Sequence, residues 1–178
     1  MHNSSIYMKE LLLPSTSVVQ VLYNIARSIS ELHASGFVHR DIQPSNVIWL
    51  PRENRWSVIS FRRTAQAGSS ARVRYSLAYA SPEAISADVN GKRHMLVSPA
   101  LDAWSLGILA MELFTGQAVF DSSMSDHDVR FLTSACFSCT QRPAVRTCTY
   151  VSIVNKCTLF EMFLWVCSVS SEGHCIMH

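Results

Sequence analysis

Cysteine does not occur in the first 135 residues, and lysine occurs in the whole chain only as Lys9, Lys92 and Lys156. The first absence confines any zinc or disulfide chemistry to the C-terminal part. The second leaves no lysine in a short apolar strand from which it could reach a nucleotide phosphate. Glycine is also sparse: Gly36, Gly68, Gly91, Gly107, Gly116 and Gly173 are too scattered to write a G-x-G-x-x-G anywhere, which excludes a glycine-rich loop that cradles phosphates. Long apolar runs are missing too. Phe160 to Val169 is interrupted early by Glu161 and falls short of the roughly twenty residues a membrane helix needs. Met1 to Pro14 does not resemble a signal peptide. With no leader or membrane segment evident, the chain reads as cytoplasmic. Its 178 residues suit one domain, and a formal net charge of +2 implies no obligatory polyanionic partner.

Against these absences stands one dense stretch, His39-Arg40-Asp41-Ile42-Gln43-Pro44-Ser45-Asn46. An acid and an amide five residues apart beside a basic pair suit phosphoryl transfer. The apolar runs Val47 to Leu50 and Trp56 to Ile59, separated by the polar turn Pro51 to Arg55, predict a hairpin immediately after it. Further on come Ser60-Phe61-Arg62, then Ser81-Pro82-Glu83 about twenty residues later, then Asp102-Ala103-Trp104-Ser105-Leu106-Gly107.

In this order and spacing the chain resembles the eukaryotic protein kinases, in the serine/threonine branch indicated by Pro44-Ser45. The resemblance implies a catalytic loop of H-R-D-x-x-x-x-N type, an Ala-Pro-Glu-like end of the activation segment at residues 81–83, and the D-x-W-S-x-G start of a buried helix. It implies that Asp41 accepts the substrate hydroxyl proton and Asn46 holds a metal ion. His39 would pack under Phe61, Arg40 would bind an activation-segment phosphate on Thr64, Ser69, Ser70 or Ser76, and Asp102 would receive hydrogen bonds from the catalytic-loop backbone. Glu83 and Trp104 would be architectural. Two departures stand out. Ser60 occupies the position of the metal-binding Asp, and Gln43 that of the usual Lys. Neither a serine hydroxyl nor a neutral amide supplies the charge that phosphoryl transfer uses. Arg62 replaces the glycine of the triplet, where its Cβ should restrict the backbone.

Periodicity supports the same architecture independently. Val18, Leu22, Ile25, Ile29 and Leu32 form one apolar stripe, Ser15 or Ser17 can cap this helix and Gly36 can end it. The segment Trp104 to Phe114 is apolar nearly all round, which predicts a helix buried on every side and stopped by Gly116. The fold class is therefore α+β, mainly α: a kinase-like C-terminal lobe without the N-terminal β-rich lobe. Residues 1–14 read as a remnant of the hinge region, 15–135 as the partial kinase domain, and 136–178 as a Cys-rich tail outside the fold.

In that tail Cys136 and Cys139 form a C-x-x-C, but no second one follows and the remaining spacings are irregular, which disfavours zinc. A second reading stays open, in which Arg142-Pro143-Ala144 belongs to the domain, Arg142 pairs with Glu83, and a helix-rich block is absent between Phe120 and Leu132. Between residues 52 and 74, Arg52, Arg55, Arg62, Arg63, Arg72 and Arg74 face only Glu53. Without interleaved aromatics this reads as a solvated activation segment, with no nucleic acid partner expected.

The family's chemistry is ATP- and Mg²⁺-dependent phosphorylation of protein serine or threonine. With Ser60 and Gln43 at their positions, the chain is expected to be catalytically inactive and pseudokinase-like, binding ATP and Mg²⁺ poorly and contacting a protein substrate or partner. The competing readings are a non-catalytic protein-binding module and a gene fragment without an independent role.

Overall fold

A computed structural model describes residues 15–140 apart from residue 121, with side chains for residues 17–134 of that range. The first helix, α1, runs Ser15–Ala34. Its stripe is buried as the periodicity predicts, with Val18, Ile25 and Ile29 inside; Val21 is buried as well, whereas Leu22 and Leu32 are half-exposed. The inward face is thus turned slightly from the one drawn through the larger leucines. The helix closes when Ser35 N–H donates back to Glu31 O and Gly36 N–H to His33 O. Gly36 takes a left-handed φ of 82°, a conformation glycine adopts without the penalty of a Cβ. That reversal sends the chain into β1 (Phe37–Val38) and then the 39–46 loop.

The predicted hairpin is present. Strands β2 (Val47–Leu50) and β3 (Arg55–Val58) pair antiparallel, with Val47 opposite Val58 and Trp49 opposite Trp56. The tryptophan rings lie 5.6 Å apart at 60°. Asn54 takes φ 49° in the turn, a conformation its short polar side chain tolerates. The polar run 60–80 carries β4 (Ala65–Gln66), which pairs with β1, and β5 (Ser70–Arg72), which pairs with β6 (His94–Leu96). Between the last two strands lies α2 (Pro82–Val89), with Ser81 at its N-cap and Pro82 in its first turn. Pro is pre-shaped for that position and lacks the N–H that would go unpaired there.

Helix α3 spans Ala100–Thr115 and ends at Gly116, φ 67°, whose N–H donates to Glu112 O. The expectation of burial on every side needs correction. Leu101, Asp102, Ser105, Gly107, Ile108 and Leu109 are buried, but Trp104, Leu106 and Met111 to Phe114 are only half-covered. An apolar sequence all round permits full burial; it takes neighbours on every face to achieve it. Helix α4 (Asp126–Thr140) runs without a break across residue 135, where the composition changes.

Two clusters make the core. Val21, Ile25, Ile29, Ile42, Val47, Val58 and Leu109 join α1, the hairpin and α3; burying a side chain such as Ile25 or Leu109 contributes about 1.5–3 kcal/mol. Val38, Ala84, Ala87, Met95, Val97 and Leu101 join α2, β6 and the start of α3. Val38 in the second cluster precedes the 39–46 loop and Val47 in the first follows it, with Ile42 buried midway, so that loop is anchored at both ends.

Candidate functional site

The loop takes its shape from one buried carboxylate. Asp102, with no solvent exposure, accepts the backbone N–H of His39 at 2.8 Å and of Arg40 at 2.7 Å, and His33 Nε2 lies 2.8 Å from the same group. These bonds hold Arg40 in a left-handed conformation, φ 67°, which a residue with a Cβ does not choose unaided. A buried carboxylate needs such partners, because removing charge from water without hydrogen bonds costs several kcal/mol.

His39 is likewise consumed by the backbone. Its Nε2 lies 3.1 Å from Ile59 O, and its Nδ1 accepts the N–H of Asp41 at 3.2 Å. A neutral ring with the proton on Nε2 satisfies both contacts. The ring meets Phe61 edge-on at 5.2 Å, so the pair expected from the resemblance does come together, although Phe61 remains exposed on its other side. Trp104 sits half-buried on α3, two residues beyond Asp102.

Asp41 and Asn46 are both buried. Asn46 Nδ2 donates to Asp41 O at 2.8 Å and Asn46 O accepts Ile59 N–H at 2.9 Å, which ties the two ends of the loop to the end of the hairpin. Asp41 Oδ1 receives Gln43 Nε2 at 2.8 Å, Arg63 Nη1 at 2.9 Å and the Ser76 hydroxyl at 3.1 Å. The sequence pointed to Asp41 and Gln43 but not to Arg63 or Ser76 as their partners. From sequence Ser76 is a phosphorylation candidate alone. Its place seven residues before Glu83 was the available signal, whereas Arg63 was one of several arginines and carried none.

Next to Asn46 the chain enters the 60–63 turn. Ser60 adopts φ 72°, ψ 61°, and Phe61–Arg63 form a single 3₁₀ turn. Arg62 is not among the positive-φ residues, so its backbone is undistorted and the anticipated restriction does not arise. The strain falls two residues earlier, on Ser60. An isolated non-glycine residue in that region costs about 1–2 kcal/mol.

Arg40 reaches over the activation segment and donates from Nη1 to Arg63 O at 3.2 Å and from Nη2 to Arg72 O at 2.5 Å. Burial lowers its affinity for the proton, and the charges of Arg63 and Arg74 lower it further, while Asp102 opposes the shift. Of the arginines between residues 52 and 74, Arg63 pairs with Asp41 and Arg55 with Glu53. Arg62, Arg72 and Arg74 stay exposed, consistent with a solvated basic segment.

Tyr79 anchors the far end of that segment. Its hydroxyl donates to Glu112 on α3 at 2.6 Å and its carbonyl accepts the Ser105 hydroxyl at 2.7 Å. Burial and the Glu112 bond push its phenol far above the ordinary value. Tyr75 donates to Asp88 at 2.6 Å and is pushed up to about 12, first by burial and then by that bond. Glu83 is exposed on the first turn of α2, and its expected partner Arg142 lies outside the described residues. The Cys-rich tail and the hinge segment lie outside them as well, apart from the backbone of α4 to Thr140. Among the described residues, no three His, Cys, Asp or Glu side chains converge as a metal site, and no helix is long and apolar enough to cross a membrane.

The chain is similar in sequence to several known proteins. Serine/threonine-protein kinase SBK2 of Homo sapiens is 31% identical over 118 residues, covering 65% of this chain and 34% of that protein. Myotonin-protein kinase of Homo sapiens is 34% identical over 104 residues, 56% of this chain and 16% of its own length. Aurora kinase of Saccharomyces cerevisiae is 31% identical over 114 residues, 59% and 27% respectively. The chain thus spans about a third or less of these relatives. A family model described as "Protein kinase domain" matches residues 2–160, which takes in every motif around Asp41 and extends past residue 135. The chain belongs to the protein kinase domain family.

Proposed function

We propose that residues 15–140 form a C-terminal-lobe-like part of a serine/threonine kinase domain in which phosphotransfer is lost and protein binding is the remaining role, in the cytoplasm. Protein kinases use ATP and Mg²⁺ and act on proteins. The observation that carries the reading is the donor set around Asn46. Mg²⁺ is usually held by one or two carboxylates together with substrate phosphates. Here the turn beside Asn46 offers the Ser60 hydroxyl, and Asp41, the one carboxylate of the loop, already carries three hydrogen bonds on Oδ1. These residues do not fit a Mg²⁺ ion well. In this reading Asp41, which would otherwise act as the base, has become part of the framework that shapes a docking face, and His39, Arg40, Phe61, Asp102 and Trp104 keep that framework in place.

Radiolabelled phosphate transfer from ATP to a generic protein substrate tests the loss of activity. Removing a single electrostatic donor from an active site typically lowers the rate about 10²–10³-fold, and here Ser60 and Gln43 alter two positions together. No transfer is expected above background; transfer abolished by Asp41→Asn would overturn the proposal. A melting-temperature titration with Mg·ATP tests binding separately, since a ligand stabilises the folded state in proportion to its occupancy. A flat response is expected. A saturable rise that disappears in Asn46→Ala would favour a weak kinase.

A further inference from the structure

The Asp41 side chain is only 8% exposed, so its charge needs a cation nearby or a substantial loss of hydration goes uncompensated. Gln43, two residues further along the loop, is neutral. Gln43 Nε2 donates to Asp41 Oδ1 at 2.8 Å and lies 3.1 Å from Ser76 Oγ. Arg63 Nη1 reaches those same two atoms, at 2.9 Å and 3.2 Å. Amide and guanidinium therefore cover one pair of acceptors, and only the guanidinium brings charge to it. The path that delivers Arg63 is visible: the left-handed Ser60 turns the chain, the 3₁₀ turn follows, and Arg40 holds the Arg63 carbonyl. Arg62, its neighbour in sequence, is exposed instead.

We propose that Arg63 is a positioning residue that supplies, across 22 residues of sequence, the positive charge missing at Gln43. It clamps the Asp41 carboxylate to Ser76 and so fastens the catalytic-type loop to the far part of the activation segment. The clamp rests on the kinase-lobe reading of this site. With Arg40 donating to the carbonyls of Arg63 and Arg72, it orders the segment through internal contacts that need no phosphate. The three donors crowd onto Oδ1, and among the described residues Oδ2 receives none. The clamp thus positions the carboxylate without surrounding it.

Hydrogen exchange of the full chain, read over residues 72–80, tests the clamp in four variants: Arg63→Gln, Arg63→Lys, Gln43→Lys and the double variant Arg63→Gln/Gln43→Lys. A hydrogen bond to a charged group contributes about 1.5–3 kcal/mol, so Arg63→Gln should speed exchange there about tenfold or more. Arg63→Lys should recover part of the protection. The double variant should recover it too, because charge returns from the loop side. Unchanged exchange in Arg63→Gln would overturn the clamp. So would a double variant as fast as Arg63→Gln, since protection would then depend on the shape of arginine rather than on charge at this spot. If Arg63→Gln does not fold, recovery of folding by the added Gln43→Lys supports the proposal and failure to recover overturns it. Phosphotransfer by the unaltered chain would refute the proposed inactivity and leave this result standing; the two failures are separable.

Discussion

Four of the eight residues from His39 to Asn46 are buried, whereas in the turn from Ser60 to Arg63 none is. The loop matches the kinase pattern at the residues whose job is to be held: His39 and the backbone of Arg40 answer to Asp102, and Ile42 sits in the core. The loop departs from it only at half-exposed Gln43, and the turn departs from it at Ser60 and Arg62. The contrast has an energetic basis. Replacing a buried, hydrogen-bonded group leaves partners unpaired and destabilises the whole domain, while replacing a half-exposed side chain such as that of Ser60 changes function with little effect on folding. Substitutions in the turn therefore leave the shape of the domain intact.

The contrast would break most visibly at Asp102. Asp102→Ala strands the buried N–H of His39, the half-buried N–H of Arg40 and the His33 contact, and should lower stability by about 3–5 kcal/mol in urea unfolding. A loss below about 1 kcal/mol would mean that the loop holds itself. The framework reaches as far as Tyr79, whose hydroxyl bond to the Glu112 carboxylate contributes about 1.5–3 kcal/mol; Tyr79→Phe should reduce stability at neutral pH by that amount. The same residue sets a pH dependence. Its phenol, like that of Tyr75, is raised in the folded state from an ordinary 10.0. The unfolded chain therefore loses these protons first. Their contribution is complete below about pH 10 and is lost as pH rises through the folded values. Unfolding midpoints should fall above about pH 10, less steeply in Tyr79→Phe; parallel declines would assign the effect elsewhere.

On the turn side the expected effects are smaller, and at Ser60 the sign is reversed. Ser60→Gly removes left-handed strain worth about 1–2 kcal/mol and adds an entropic cost of about 0.5–1 kcal/mol, so a net gain of up to about 1.5 kcal/mol is expected. A loss would show that the Ser60 hydroxyl stabilises the turn. Arg62→Gly should not stabilise, because residue 62 has no positive φ to relieve; a decrease of about 0.5 kcal/mol is expected. Any rise in its melting temperature would move the strain back to the position where the sequence alone placed it.

Periodicity and turn chemistry disclosed most of the framework. The stripe of α1, its stop at Gly36, the β2–β3 hairpin and the end of α3 at Gly116 all follow from spacings within a few residues, because helices and turns are local objects. The motifs likewise marked Asp41, Asn46 and Asp102. Spacing was silent about which helix faces would find neighbours, and so Val21 went unmarked and α3 was expected to be buried all round. It could not rank the arginines either. Arg62, Arg63, Arg72 and Arg74 are equivalent in composition, yet only Arg63 ends beside Asp41, since a left-handed residue followed by a 3₁₀ turn sets its direction. Sequence alone thus determined the family, the local elements and the residues available for chemistry. Tertiary structure decided which charges meet, because Coulomb interactions and burial depend on distances in space between residues far apart along the chain.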